Sequence, residues 1–229
     1  MLLADLREQV LEANLELVRR GLAIFTFGNA SGISRSDGLV VIKPSGVPYD
    51  TMRAEDLVIV DLDGRVVEGK LRPSSDVATH LVLYRSFEGA GGVVHTHSRY
   101  ATAWAQAHRE IPCFGTTHAD YFYGPVPVTA PLEAAGIAGP YEENTGLCIV
   151  ERFRGRDPMQ VPAVLVASHG PFCWGSDPAA AAHNSVILEE IAQMAYFTAT
   201  LGRDIPIPAP LLDKHFLRKH GKGAYYGQK

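Results

Sequence analysis

The sequence predicts an α/β domain in which helices cover a mixed sheet, and three observations carry that expectation. Short β-branched or apolar runs, bounded by Gly, Asn, Ser, Asp and Pro, recur through the first half, as strands and tight turns require. Longer stretches with apolar residues three or four apart flank and follow them, which is helical spacing. No repeat, low-complexity linker or composition break divides the 229 residues, so one domain, 1–229, is expected.

Leu6, Val10, Leu17 and Val18 recur near helical spacing before Gly21, with Arg19 and Arg20 where cations complement a helix C-terminus. Three strands are expected next, Ala23 to Phe27, Leu39 to Ile42 and Leu57 to Asp61, with a hairpin turn at Asp63-Gly64. Asp76 to Phe87 reads as a helix, Gly92 to His95 as a buried strand and Ala101 to Ala107 as an alanine-rich helix. Val161 to Ala167 reads as another buried strand. Asp177-Pro178 then opens the longest helical pattern, which runs to Leu201 and stops at Gly202. A last helix is expected from Pro210 to His220.

Composition narrows the function. The formal charge of −4, from 21 basic and 25 acidic residues, leaves no basic patch for nucleic acid and no acidic tail. Charges interrupt the N-terminal segment, and no stretch approaches the roughly 20 apolar residues of a membrane span. The three cysteines, Cys113, Cys148 and Cys173, form neither a disulfide framework nor a CxxC knuckle, which fits a reducing cytoplasm. A small-molecule partner is expected.

Two constellations carry chemistry. In Gly-Gly-Val-Val-His-Thr-His-Ser-Arg, His95 and His97 stand two apart, and on a continuing strand both imidazoles would share a face and could grip one zinc-type ion. His80, His118 and His169 compete as the third ligand. His169 ranks first because it follows a strand and precedes Gly-Pro, at a point where the backbone leaves the core. Separately, Gly28-Asn29-Ala30-Ser31, Lys43-Pro44-Ser45-Gly46 and Pro73-Ser74-Ser75-Asp76 offer free amides, small hydroxyls and a cation, the donors a phosphate needs. The last precedes a helix and can supply N-cap oxygens. Each loop alone has the composition of an ordinary turn, and composition does not show that they converge.

These runs, with Gly-Thr-Thr-His-Ala-Asp-Tyr-Phe-Tyr-Gly, Ser-His-Gly-Pro-Phe and the closing Ala-Tyr-Tyr-Gly-Gln, resemble in kind and order the class II aldolase and epimerase family over nearly the whole chain. The resemblance implies a three-layer α/β/α domain around a mixed, mostly antiparallel sheet. It implies His95, His97 and His169 as zinc ligands, with manganese or cobalt as alternatives, and Asp76 on or beside the metal. It implies Gly28, Asn29, Lys43, Ser45, Gly46, Ser74 and Ser75 as substrate and phosphate contacts, joined by His215 and Arg218 from the C-terminal segment.

Asp120 and Tyr226 take the places of the family's acid and base. Similar enzymes are tetramers whose sites borrow side chains from a neighbour, so a homotetramer acting on a sugar phosphate is expected. The family also holds aldolases with a glutamate where Asp76 stands, and adducin-like modules without catalysis. The aspartate, with the Asp120 and Tyr226 motifs, favours an epimerase that inverts carbon 4 of a ketopentose 5-phosphate by carbon–carbon cleavage.

Overall fold

The computed structural model describes residues 2–202 and 204–227; Gln228, the end of the closing motif, lies outside them. Seven strands form one sheet: β1 (Asn29–Ser34), β2 (Leu39–Ile42), β3 (Val58–Asp61), β4 (Val66–Glu68), β5 (Gly92–His95), β6 (Ala163–Val166) and β7 (Gly170–Gly175). Their spatial order is β4-β3-β2-β1-β5-β7-β6. Every strand pairing is antiparallel; the parallel contact among the described residues is an isolated bridge from Val128 to Leu165. The sheet is therefore antiparallel throughout, not mixed.

Both faces of the sheet are covered, giving the three layers expected. Period-two alternation sends Val40, Ile42, Val58, Val60, Val93, Phe172 and Trp174 to one face. There they meet Leu81, Leu83 and Tyr84 of α2 (Val77–Ser86), Phe87 just past its end, and Ile149 of α6 (Tyr141–Arg152). The intervening Val41, Ile59 and Val94 point the other way, onto Val10 and Leu17 of α1 (Ala4–Arg19) and Ala181 and Ala182 of α7 (Pro178–Thr200). Beneath β6 and β7, α3 (Arg99–Gln106) joins α7 against Leu165 and Cys173. Helix α7 starts where the sequence indicates, because Asp177 accepts from the Ala180 amide at 2.8 Å and Pro178 follows. Short helices α4 (Thr116–Ala119) and α5 (Ala134–Ala138) precede α6, and α8 (Ala209–His220) closes the fold, packing on α4. No helix of the described residues is long and apolar enough to cross a membrane.

Two expectations fail around β1. Residues 23–27 are a loop, with Phe25 in the left-handed region (φ 53°), and the strand begins where a polar turn was expected. Asn29 and Ser31 tolerate a buried strand because other elements satisfy them. Ser31 Oγ bonds His80 Nδ1 at 2.7 Å and Tyr84 Oη at 2.8 Å, and Asn29 Nδ2 donates to Ser74 Oγ at 3.0 Å.

Candidate metal centre and anion cleft

Strand β5 ends on His95, so His97 lies beyond it and the shared strand face does not form. The two rings meet nevertheless, Nε2 to Nε2 at 3.0 Å. His169 arrives from the hairpin turn between β6 and β7, where the preceding Ser168 takes a left-handed backbone (φ 62°). One ring nitrogen from each of His95, His97 and His169 lies within 4.8 Å of the others.

The donor chemistry of this cluster suits a divalent cation. His95 Nδ1 lies 2.9 Å from the Pro171 carbonyl, so it carries the proton and leaves the lone pair of Nε2 available to a cation. His169 Nδ1 faces Tyr141 Oη at 3.3 Å, which directs its Nε2 inward. Burial first, then neighbouring imidazoles, drives the His95 pKa down to about 3 against the pull of Asp76, so the ring is neutral and ready to ligate. The rival candidates are engaged elsewhere. His118 bonds the Gly124 carbonyl at 2.8 Å and is buried, while His80 is held by Ser31.

Asp76 stands beside the triad at the start of α2. It makes no N-cap bond; its Oδ2 accepts from Asn29 Nδ2 at 2.6 Å. Burial works to raise its pKa, but the interaction with the adjoining His95 and His80 rings and the Asn29 hydrogen bond outweigh it and hold the carboxyl below its ordinary value. Asn29 Oδ1 is buried without a partner, an acceptor left for a ligand. Gly28 makes the approach possible: its φ is 76°, and a Cβ there would lie 2.9 Å from the His95 carbonyl.

The three loops do converge. A cleft of about 480 Å³ is lined by the histidine triad and by Gly28, Asn29, Lys43, Ser45, Gly46, Ser74, Ser75 and Asp76. Lys43 is buried, and among the described residues its Nζ reaches only the carbonyls of Thr26 and Pro44, at 3.5 and 3.4 Å, and the Tyr49 ring at 4.7 Å. Burial pulls its pKa down to about 8. A lysine desolvated without a carboxylate partner is a cation kept for an anionic ligand. Tyr141 and Glu142, from the start of α6, also line the cleft and were not anticipated. Gly146 lets α6 pack closely on α2, since a Cβ there would lie 2.7 Å from Val82 Cβ.

The remaining expected residues are elsewhere in the chain. Asp120, at the end of α4, is gripped by α8. His215 Nδ1 lies 3.0 Å from Oδ1, Arg218 Nη2 lies 2.9 Å from both carboxylate oxygens, and Lys219 Nζ lies 3.4 Å from Oδ2. Tyr226, 61% exposed, packs its ring on Arg218 and Lys219. None of Asp120, His215, Arg218 and Tyr226 lines the metal cleft of its own chain.

Comparison with known proteins agrees with this architecture. The chain is 54% identical over 225 residues to the L-ribulose-5-phosphate 4-epimerase UlaF of Salmonella paratyphi A (strain ATCC 9150 / SARB42), covering 98% of this chain and 99% of that protein. An L-fuculose 1-phosphate aldolase shares the fold at a TM-score of 0.78 and 24% identity, over 92% of this chain and 94% of its own. The L-fuculose-1-phosphate aldolase of Thermus thermophilus superposes at a TM-score of 0.70 with 28% identity, over 90% of this chain and 100% of that one. Residues 8–196 match the class II aldolase and adducin N-terminal domain, and the chain belongs to that family.

Proposed function

We propose that the protein is a metal-dependent L-ribulose-5-phosphate 4-epimerase, a single cytoplasmic catalytic domain over residues 1–229 that interconverts L-ribulose 5-phosphate and D-xylulose 5-phosphate. One observation carries the reading: a three-imidazole cluster and a buried lysine open into the same cleft as the three loops that bear Gly28 and Asn29, Ser45 and Gly46, and Ser74 and Ser75. The relative at 54% identity, an L-ribulose-5-phosphate 4-epimerase, supports the choice of substrate.

Carbon 4 of a ketopentose is not adjacent to its carbonyl, so its hydrogen is not acidic and the bond between carbons 3 and 4 must break instead. His95, His97 and His169 would hold the divalent ion, zinc in this reading with manganese or cobalt also suited to imidazole donors. That ion supplies the Lewis acidity that lets a carbon–carbon bond near a ketone break and re-form. Asn29 keeps Asp76 ionised and oriented at its edge. Lys43, with Ser45, Gly46, Ser74 and Ser75, holds the phosphate, so the two-carbon aldehyde fragment stays tethered while it turns its other face.

Inversion needs a proton taken from the carbon 4 oxygen on one side and returned on the other. Asp120 and Tyr226 take these roles. Both lie outside their own chain's cleft, so a neighbouring copy presents them, with His215 and Arg218, in a homotetramer.

The test is to supply L-ribulose 5-phosphate to zinc-loaded protein and follow D-xylulose 5-phosphate, then repeat with His97→Ala. Turnover by the intact protein, lost in the variant, is expected. Release of glycolaldehyde phosphate without the second ketopentose would replace the reading with a plain aldolase.

A further inference from the structure

The proposed inversion needs Asp120 and Tyr226 held in one geometry, yet Tyr226 sits beyond α8 in a segment without helix or strand. Its backbone is tied by two bonds, from the Tyr225 and Tyr226 amides to the Arg218 carbonyl at 3.0 and 3.2 Å, but these leave the ring free to rotate. What fixes the ring is charge. The guanidinium of Arg218 lies 4.9 Å from its centroid and Lys219 Nζ lies 4.5 Å from it.

We propose that Lys219 is a positioning residue that binds Asp120 and Tyr226 into one acid–base unit. This rests on the roles given above to those two residues. The Lys219 side chain is only 14% exposed, unusual for a strongly hydrated ammonium on a surface helix. Water is replaced by three partners: Oδ2 of Asp120 at 3.4 Å, the Tyr121 ring at 4.4 Å and the Tyr226 ring at 4.5 Å.

Consecutive helix residues project about 100° apart, so Arg218 and Lys219 reach Asp120 from different directions and close on it together. Arg218 and His215 saturate Oδ1, whereas Lys219 supplements Arg218 on Oδ2 and also contacts both aromatic rings beside the carboxylate. Removing its charge leaves Arg218 as the one cation on the Tyr226 ring and takes away the link from that ring to Oδ2, while the Arg218 clamp on Asp120 stays in place.

The groups facing Asp120 are His215, Arg218 and Lys219 from α8, His220 on its backbone carbonyl at 2.9 Å, and the adjoining Tyr121. The experiment compares Lys219→Met, Lys219→Arg and Tyr226→Phe in the zinc-loaded protein. For Lys219→Met we expect kcat to fall about 10- to 100-fold, the scale of misplacing a catalytic group by about 1 Å, with KM, bound zinc and melting temperature unchanged. The acid limb of its pH profile should move up, since one of the charges holding Asp120 low is gone. Lys219→Arg should restore most of the turnover.

Wild-type kcat in Lys219→Met beside an impaired Tyr226→Phe would overturn the proposal and leave the epimerase reading intact. Equal loss in both Lys219 variants with a lowered melting temperature would also overturn it, as a packing role. Full turnover in Tyr226→Phe would remove the reading on which it stands.

Discussion

Arg218 places one nitrogen, Nη2, 2.9 Å from both oxygens of Asp120, joining α8 to the end of α4. Burial pushes the Asp120 carboxyl up. The hydrogen bonds of His215 and Arg218 and the charges of Lys219 and Arg218 outweigh it and hold the carboxyl below its usual range. A carboxyl depressed in the folded state stabilises above the unfolded value of about 4, and that contribution fades as the pH falls below it. The docking of α8 is therefore expected to loosen in acid. Limited proteolysis between α7 and α8 should accelerate below about pH 4 in the native protein and already at neutral pH in Arg218→Met. Equal cleavage of the two at neutral pH would show that the clamp does not hold the helix.

Tyr141 touches His169 from outside the ligand cluster, at 3.3 Å from Nδ1. A partner that fixes the tautomer and ring angle of a ligating imidazole sharpens metal affinity without touching the ion. Tyr141→Phe should weaken zinc binding about 10- to 100-fold in a competition titration against a chromophoric chelator, with the fold unchanged. Unaltered affinity would limit Tyr141 to lining the cleft.

How far these features were legible in the chain depends on where each residue's partners come from. Strands β2 and β5 were readable to the residue because Leu39–Ile42 is an unbroken apolar run and Gly92–His95 centres on the buried β-branched pair Val93 and Val94. Strand β1 was not, since Asn29, Ser31 and Gly32 have turn composition and become strand only through Ser74, His80 and Tyr84 far along the chain. Strand β7 hid behind its bounding glycines. Gly175 is small because a Cβ there would lie 2.6 Å from the Ala181 amide, not because the chain turns.

The histidine triad and the shared cleft were legible only through the family resemblance, since composition left the convergence of the loops open, and Tyr141 and Glu142 carried no motif and needed the packing of α6 on α2 to bring them to the cleft. That Asp120 belongs to a different surface from its own triad is a property of the folded chain that spacing does not encode.

Lys43 gives a pH signature. With its folded pKa near 8 and an unfolded value near 10.4, the native state binds fewer protons than the unfolded one between those limits. The Lys43 contribution to stability should therefore rise with pH across that window, opposed by the buried Cys113 and Cys173 thiols, whose raised pKa values work the other way, while affinity for a phosphate ester falls as the ammonium is lost above about 8. Lys43→Met should remove that contribution and weaken binding of inorganic phosphate about 10- to 100-fold, the range expected for losing one charged hydrogen bond. Chemical denaturation and calorimetry of both proteins over pH 7 to 10.5 measure both, and a stability difference between them that does not change with pH would contradict the buried, desolvated cation.

The separation of Asp120 from the triad leads to a sharper experiment than either residue's own variant. If each site draws its imidazoles from one copy and its Asp120 from another, His97→Ala and Asp120→Asn damage different halves of the same site. Each variant should be nearly inactive alone. Mixed by partial denaturation and reassembly in equal amounts, they should regain about a quarter of wild-type turnover, because random assembly pairs an intact cleft with an intact Asp120 in about one site in four. If instead α8 and α4 swung into their own chain's cleft, both defects would remain confined to their own chains and reassembly would restore nothing. Recovery on mixing, with size-exclusion profiles showing hetero-oligomers, would tie the activity to the interface between copies.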